Sequence, residues 1–359
     1  MKNEINVIGL MSGTSMDGVD IAYVKFVNSN NMWKYECLQA QTIPYEERWR
    51  IRLSQLHKQP IFLYPKTSAY YGKYLGQLVN QFVKKHAIQA DLISSHGHTI
   101  FHQPEAGFTA QAGDGAAIHA ITGLPVVCDF RTTDVALGGQ GAPLVPIGDQ
   151  LLFSAYDACL NLGGIANISF TRLSDVKAFD IAPCNIVLNR VARWLNLVYD
   201  DGGKIAASGI ADEELLNKLN DLDFYHLQTA KSLGREWINE VFWPVVKSVS
   251  DISEADLMAT LSAHIAFQIK RVIEKYRPEK MLITGGGTFN THLIEQLQQQ
   301  QTTKIHIPDE QTIQYKEAII FALLGVLRVN NLNNSLKSVT GASRNNIGGA
   351  LYGDFSALI

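Results

Sequence analysis

Cysteine is scarce in this chain of 359 residues: Cys37, Cys128, Cys159 and Cys184 stand far apart, with no Cys-x-x-Cys and no histidine at metal-ligand spacing. A disulfide-stapled scaffold and a zinc ribbon are thereby excluded, and buried free thiols are expected. An excess of one charge is missing too. The 31 Lys and Arg against 34 Asp and Glu leave a net charge of −3, so there is no basic field for nucleic acid and no polybasic membrane anchor. No apolar run reaches the ~18 residues of a membrane span. The first residues lead straight into a strand-like run without the pattern of a secretory signal, so a reduced, cytoplasmic setting is expected. Both standard nucleotide motifs are also absent: there is no Gly-x-x-x-x-Gly-Lys-Ser/Thr, and no Gly-x-Gly-x-x-Gly opens a helix after the first strand. A P-loop or Rossmann reading is weak, and small-molecule partners or a second copy of the chain remain.

What is present is glycine at strand ends. Gly9-Leu10-Met11-Ser12-Gly13-Thr14-Ser15-Met16-Asp17-Gly18-Val19-Asp20 follows the apolar run at 5–8. Its glycines and hydroxyls let backbone approach an anion, and Asp17 suits a hydrated Mg²⁺ beside a nucleotide phosphate. A lone turn of this kind is more often a hairpin. Two others change that balance: Asn161-Leu162-Gly163-Gly164-Ile165-Ala166-Asn167 follows a run at 158–160, and Thr284-Gly285-Gly286-Gly287 follows a run at 281–283. Three such turns resemble the two phosphate loops and the adenosine loop of the actin, hexokinase and Hsp70 superfamily.

The length and the 46% hydrophobic content suit two cores. Strand-like runs at 5–10, 19–27 and 33–41 form a meander, followed by a helical period at 68–86 and strands at 92–95 and 125–128. The second half repeats this order with strands at 157–162, 166–170 and 176–179 and a helix at 185–197. Long helices at 254–275 and 314–329 flank strands at 281–284 and 304–306, an alternating α/β pattern. The glycine-rich stretch at 134–141 is the expected hinge, the alternative being a surface loop, and divides an N-terminal lobe, 1–134, from a C-terminal lobe, 135–359, whose tail returns to the first.

Three segments carry chemistry. His96-Gly97-His98-Thr99 follows the strand at 92–95, and in extended backbone His96 and His98 point to the same side. No carboxylate or cysteine nearby completes a ligand set, so hydrogen bonding to a polar substrate or a neighbouring loop is expected. Arg131, after the strand at 125–128, suits a substrate carboxylate through its planar fork, the alternative being an internal ion pair with Asp129 or Asp134. Asp180, at a strand end before Pro183 in a first helical turn, is a general base or a cap for that helix.

Taken together, these segments resemble the anhydro-N-acetylmuramic acid kinase family from end to end. The resemblance rests on residues 11–20, Gln111-Ala112-Gly113-Asp114, Asp129-Phe130-Arg131, the run 138–146, residues 161–167, Lys231-Ser232-Leu233-Gly234-Arg235-Glu236, the 285–287 glycines, Lys316-Glu317-Ala318 and Ser338-Val339-Thr340-Gly341-Ala342. It implies two actin-like (ribonuclease H-like) α/β lobes with mixed five-stranded sheets flanked by helices and an interdomain ATP and sugar cleft. It implies an ATP- and Mg²⁺-dependent homodimeric kinase of peptidoglycan recycling, in which water opens 1,6-anhydro-N-acetylmuramic acid and O6 takes the γ-phosphate. Asp180 would be the base. Gly13, Thr14, Ser15, Met16, Asp17, Gly18, Val19, Asp20, Asn161, Gly163, Gly164, Gly285, Gly286 and Gly287 would hold ATP, with Asp17 on the metal. Arg131, Asn185, Glu317 and His96 would meet the sugar.

The chain departs from the family where Asp-Thr-Gly-Pro-Gly-Asn is usual, having Asp180-Ile181-Ala182-Pro183-Cys184-Asn185, with Asn189 in place of an aspartate and His98 in place of a glutamine. If the replaced glycines had positive φ, Ala182 and Cys184 would each be strained by roughly 1 kcal/mol or more. The alternatives are therefore a binding homologue without turnover, or a kinase for another sugar.

Overall fold

Residues 4–13, 16–29, 32–173, 175–227, 231–299 and 302–358 are described by the computed structural model. Its strands, in chain order, are β1 (Glu4–Ser12), β2 (Gly18–Ser29), β3 (Met32–Pro44), β4 (Leu92–Gln103), β5 (Phe108–Ala112), β6 (Val126–Cys128), β7 (Ala158–Leu162), β8 (Ile165–Phe170), β9 (Lys177–Pro183), β10 (Lys280–Thr284), β11 (Lys304–His306) and β12 (Ala350–Tyr352). The chain divides into two units, Met1–Leu152 with Tyr315–Ile359, and Phe153–Gln314.

In the first unit the strands lie in the order β12-β6-β4-β1-β2-β3, with β5 paired to β4. The β1, β2 and β3 meander is antiparallel, while β4 and β6 run parallel to β1 and to each other. β1 is apolar without a break from Val7 to Met11 because both faces are covered there. On one side Tyr71, Leu75, Val79 and Phe82 of the helix Leu63–His86 join a core with Ile8, Leu10, Val19 and Ile21. On the other, the helix Glu310–Val329 comes so close that a Cβ on Gly9 would stand 2.1 Å from the Ala318 carbonyl oxygen. That helix is buried all round from Ala318 to Leu327, as its uninterrupted apolar sequence there requires.

The second unit orders its sheet β11-β10-β7-β8-β9, again an antiparallel meander followed by two parallel strands. The two halves therefore share one core strand order, as the repeated order of elements in the sequence anticipates, and it is the ribonuclease H-like order that the family resemblance implies. Helices Asn185–Trp194, Glu254–Tyr276 and Thr291–Gln298 bury their apolar stripes in its core.

Two expectations are corrected. The first sheet has seven strands and only the second has five. The additions are β5, which folds back on the extended end of β4, and β12, which pairs antiparallel with β6. The stretch 134–141 is no hinge, for the contacts divide at Leu152 and Phe153. Asp134 is fully buried and accepts hydrogen bonds from Gly141 N, Ser335 Oγ, Thr340 Oγ1 and Asn346 Nδ2 at 2.7–2.9 Å, which pins this turn inside the first unit.

Candidate active site

Parallel pairing aligns the strand ends of the first unit. Ser12, the last residue of β1, lies opposite His98 of β4, so the turn leaving β1 starts beside the histidines. Gly13 opens that turn, and Met16 takes a left-handed φ of 65°. Gly18 abuts β3 so tightly that a Cβ would stand 2.3 Å from the Ile43 carbonyl oxygen, and Val19 is buried behind it. Asp17 is exposed, whereas Asp20 accepts a 2.6 Å bond from Thr42 Oγ1 and has its pKa raised by burial. Thr14 and Ser15, expected to hold phosphate, lie outside the described residues.

A buried network braces this turn that the sequence did not announce. Ser12 Oγ meets His98 Nδ1 at 2.7 Å and the Tyr45 hydroxyl, which in turn meets the Tyr71 hydroxyl. The Tyr45 backbone N–H donates to Asp17 O at 3.2 Å, so one residue ties both ends of the turn. Burial lowers the His98 pKa to about 4 and raises that of Tyr45 to about 12. His98 is therefore neutral at physiological pH. The only signal for it was the His96-Gly97-His98 run; Tyr45 had none.

His96 and His98 do not share a direction, since Gly97 between them has φ 72° and breaks the extended backbone. His96 Nδ1 donates to Gly97 O at 2.9 Å, and its Nε2 accepts from Arg131 Nε at 3.1 Å and Nη2 at 2.8 Å. Arg131 Nη1 donates to Gly141 O at 2.7 Å. Among the described residues no Arg131 hydrogen bond goes to a carboxylate, so the internal ion pair considered from sequence is not what holds it. Burial lowers the Arg131 pKa to about 10, opposed by the charges of Glu317 and Asp134. Burial and that guanidinium push His96 well below its ordinary value.

One helical turn serves three ends. Lys316 forms a buried ion pair with Asp149 at 2.8 Å, Ala318 supports Gly9, and Glu317 between them keeps exposed surface. Even so, the protein crowded around Glu317 raises its carboxyl pKa; Arg131 opposes this and Asp20 adds to it.

In the second unit the glycine turns converge because β7 and β10 are parallel neighbours with Asn161 opposite Thr284. Gly285 has φ 87°, and a Cβ there would stand 2.4 Å from Asn161 Oδ1; one on Gly287 would stand 2.7 Å from the Leu162 Cβ. A Cβ on Gly286 would meet nothing closer than Asn185 Nδ2 at 3.9 Å, and Gly164 is as open. Asn185 Nδ2 donates to Leu162 O at 2.9 Å, while the Asn185 and Ile186 N–H groups donate to Gly163 O and Gly164 O, both at 3.1 Å.

Asp180 sits half-buried on β9, opposite Asn167, next to a bulge that displaces Ile181. Its Oδ2 accepts from Leu233 N at 2.8 Å and Ser232 Oγ at 3.2 Å. Burial raises its pKa, and those two bonds oppose the rise. It does not cap the following helix, whose N-cap is Cys184 with no side-chain capping bond. The positive φ considered for the altered turn is not adopted: Ala182 lies within β9 and Cys184 has φ −123° with ψ −109°, and both side chains are buried in the core. Burial raises the Cys184 thiol to about 12. Asn189 lies half-buried in the helix Asn185–Trp194.

Among the described residues no helix is long and apolar enough to cross a membrane. The family model for anhydro-N-acetylmuramic acid kinase matches residues 5–354. The chain is similar to the anhydro-N-acetylmuramic acid kinase of Caldanaerobacter subterraneus subsp. tengcongensis, 33% identical over 95% of each chain. It is 36% identical to that of Shewanella sediminis, over 96% of this chain and 98% of the relative. Among solved structures it is similar to a ROK family glucokinase from Streptomyces griseus in complex with glucose and AMPPNP, at 11% identity and TM-score 0.41 over 89% of this chain and 99% of the other.

Proposed function

The chain belongs to the anhydro-N-acetylmuramic acid kinase family, and from that premise we propose that it opens the ring of 1,6-anhydro-N-acetylmuramic acid with water and phosphorylates O6 from ATP, in peptidoglycan recycling. The observation that carries this reading is Asp180, a half-buried carboxylate gripped, among the described residues, on one oxygen and made more basic by burial. Asp180 takes a proton from water as the water oxygen bonds to C1 and the C1–O6 bond breaks. The freed O6 bonds to the γ-phosphorus, the bond to the β-phosphate oxygen breaks, and ADP leaves with N-acetylmuramic acid 6-phosphate. The base contributes about 10²- to 10⁴-fold, and the rest of catalysis is positioning and charge stabilisation.

The turns at Gly13–Asp20 of the first unit and at Asn161, Gly163, Gly164 and Gly285–Gly287 of the second are proposed to hold the nucleotide. Gly164 and Gly286 of the second unit support this, since both are open and backbone there stays within reach of an anion. Asp17 would hold Mg²⁺, and its single exposed carboxylate fits an ion that keeps most of its waters. When bound, that ion neutralises phosphate charge. Arg131, oriented by His96, is proposed to take the muramic carboxylate, while Glu317 and Asn185 take sugar hydroxyl or amide groups. Cytoplasmic residence and a homodimer, which the family resemblance implies, complete the proposal.

The test is ATP-dependent conversion of 1,6-anhydro-N-acetylmuramic acid by the purified protein with Mg²⁺, with the product mass showing both an added phosphate and an added water. Turnover that survives Asp180→Asn would sink the assignment of the base.

A further inference from the structure

The run Lys231-Ser232-Leu233 belongs to the sequence signature, yet nothing above gives it a task. It lies along the outer edge of β9 at one residue. Asp180 N–H donates to Lys231 O at 2.9 Å, Leu233 N–H donates to Asp180 Oδ2 at 2.8 Å, and Ser232 Oγ lies 3.2 Å from the same oxygen. Three successive residues thus hold the backbone and one carboxylate oxygen of Asp180.

The segment is anchored on both sides of the exposed Ser232. Lys231 Nζ donates to Phe224 O at 3.1 Å and lies 4.4 Å from the Phe224 ring centroid, so its stem and charge are committed to that neighbour. Leu233 is buried in the core of the second unit. With its neighbours fixed, Ser232 presents its hydroxyl to Asp180 with little freedom left to lose.

We propose that residues 231–233 are the positioning clamp of Asp180: they fix Oδ2 and the carboxylate plane, leaving Oδ1 as the oxygen that takes the proton. This rests on the assignment of Asp180 as base. Both bonds to Oδ2 come from donors that favour the ionised carboxylate, so the clamp also keeps Asp180 deprotonated against the burial that disfavours its charge. Among the described residues Oδ1 accepts no hydrogen bond, so proton acceptance there breaks no existing one. Ser232 and Leu233 are positioning residues and touch no reacting atom.

The experiment follows the Asp180 carboxyl carbon by NMR through a pH titration, assigned by its loss in Asp180→Asn, in the wild type, Ser232→Ala and Ser232→Thr. The expected result is a pKa about half a unit higher in Ser232→Ala, from one lost charge-assisted bond at an exposed hydroxyl, and a return to the wild-type value in Ser232→Thr. The acidic limb of the pH profile of kcat moves up by the same amount in Ser232→Ala, while KM for ATP stays within about twofold. An unchanged titration in Ser232→Ala, or an equal shift in Ser232→Thr, overturns the clamp. A wild type that never turns over the anhydro sugar while its Asp180 titration still moves in Ser232→Ala overturns the proposed reaction and leaves the clamp standing.

Discussion

Arg131 directs two N–H groups at one nitrogen, His96 Nε2, at 3.1 and 2.8 Å. Because a carbonyl oxygen only accepts, the bond from His96 Nδ1 to Gly97 O puts the ring proton on Nδ1 and leaves Nε2 as a lone pair. His96 therefore orients a guanidinium without neutralising it, and Gly141 O holds the third N–H. The charge stays available to an anionic ligand. Replacing His96 by Phe keeps the bulk and removes the acceptor, so KM for the anhydro sugar is expected to rise roughly tenfold with kcat changed much less. The discriminating measurement repeats the kinetics with the methyl ester of the substrate carboxylate. An equal penalty on acid and ester would show that Arg131 does not read that carboxylate.

Asp180 has a folded pKa above the ordinary carboxylate value, because burial outweighs the bonds from Leu233 and Ser232. A base is active only when deprotonated, so activity should climb with pH through a limb set higher than a solvent-exposed aspartate would give. Asp180→Asn should cut kcat by about 10²- to 10⁴-fold and leave ATP binding in place. Initial rates from pH 4 to 8, beside calorimetric titration of ATP into both proteins, check both parts. An acidic limb at or below the ordinary aspartate range would contradict the role given to burial.

Parts of the site specified by neighbours in sequence were legible before the structure. The apolar runs of β1, β2 and β7 and the glycine turns after β1, β7 and β10 follow from local period and turn chemistry. Contacts made across the chain were not. Asp134 reads as one more polar residue in a glycine-rich stretch, yet its partners Ser335, Thr340 and Asn346 turn an expected hinge into a pinned corner. Tyr45 carries no motif, and its bond to Ser12 exists only because β3 ends opposite Gly18, where the first turn closes. The altered turn at Ala182 and Cys184 misled in the other direction. Their φ values depend on the β9 pairing and its bulge, which no propensity reports.

His98 makes folding stability depend on pH. Its folded pKa is about 4, below the ~6.5 of an unfolded histidine, so between those values the unfolded chain binds the extra proton. Stability contributed by the neutral ring is full above about pH 6.5, declines as the pH falls, and is lost by about pH 4. At pH 5 this amounts to roughly 2 kcal/mol relative to pH 7. His264, lowered to about 3 by burial, adds a loss of the same sign in the second unit. Urea unfolding of the wild type and His98→Gln at pH 5 and pH 7 tests it. The variant keeps a polar partner for Ser12 without a titrating ring, so the difference between the two pH values should shrink by about that amount. Equal pH dependence in both proteins would show that His98 is not the source.

Lys316 and Asp149 face each other at 2.8 Å with side chains only 6% and 4% exposed. Removing one partner breaks the ion pair and leaves a buried charge that has lost its counter-ion's attraction, so Lys316→Met or Asp149→Leu alone should destabilise by about 3–5 kcal/mol. Replacing both by apolar residues removes two buried charges at once, and much of that loss should return in Lys316→Met/Asp149→Leu. A double-mutant cycle in urea gives the coupling directly. The same cycle separates support from chemistry, because Lys316 precedes Glu317 on the helix that packs over Gly9. If the pair only holds the helix in place, the double variant should recover KM for the sugar together with stability. Recovered stability with a persistently raised KM would mean that the Lys316 charge itself acts on the substrate through Glu317.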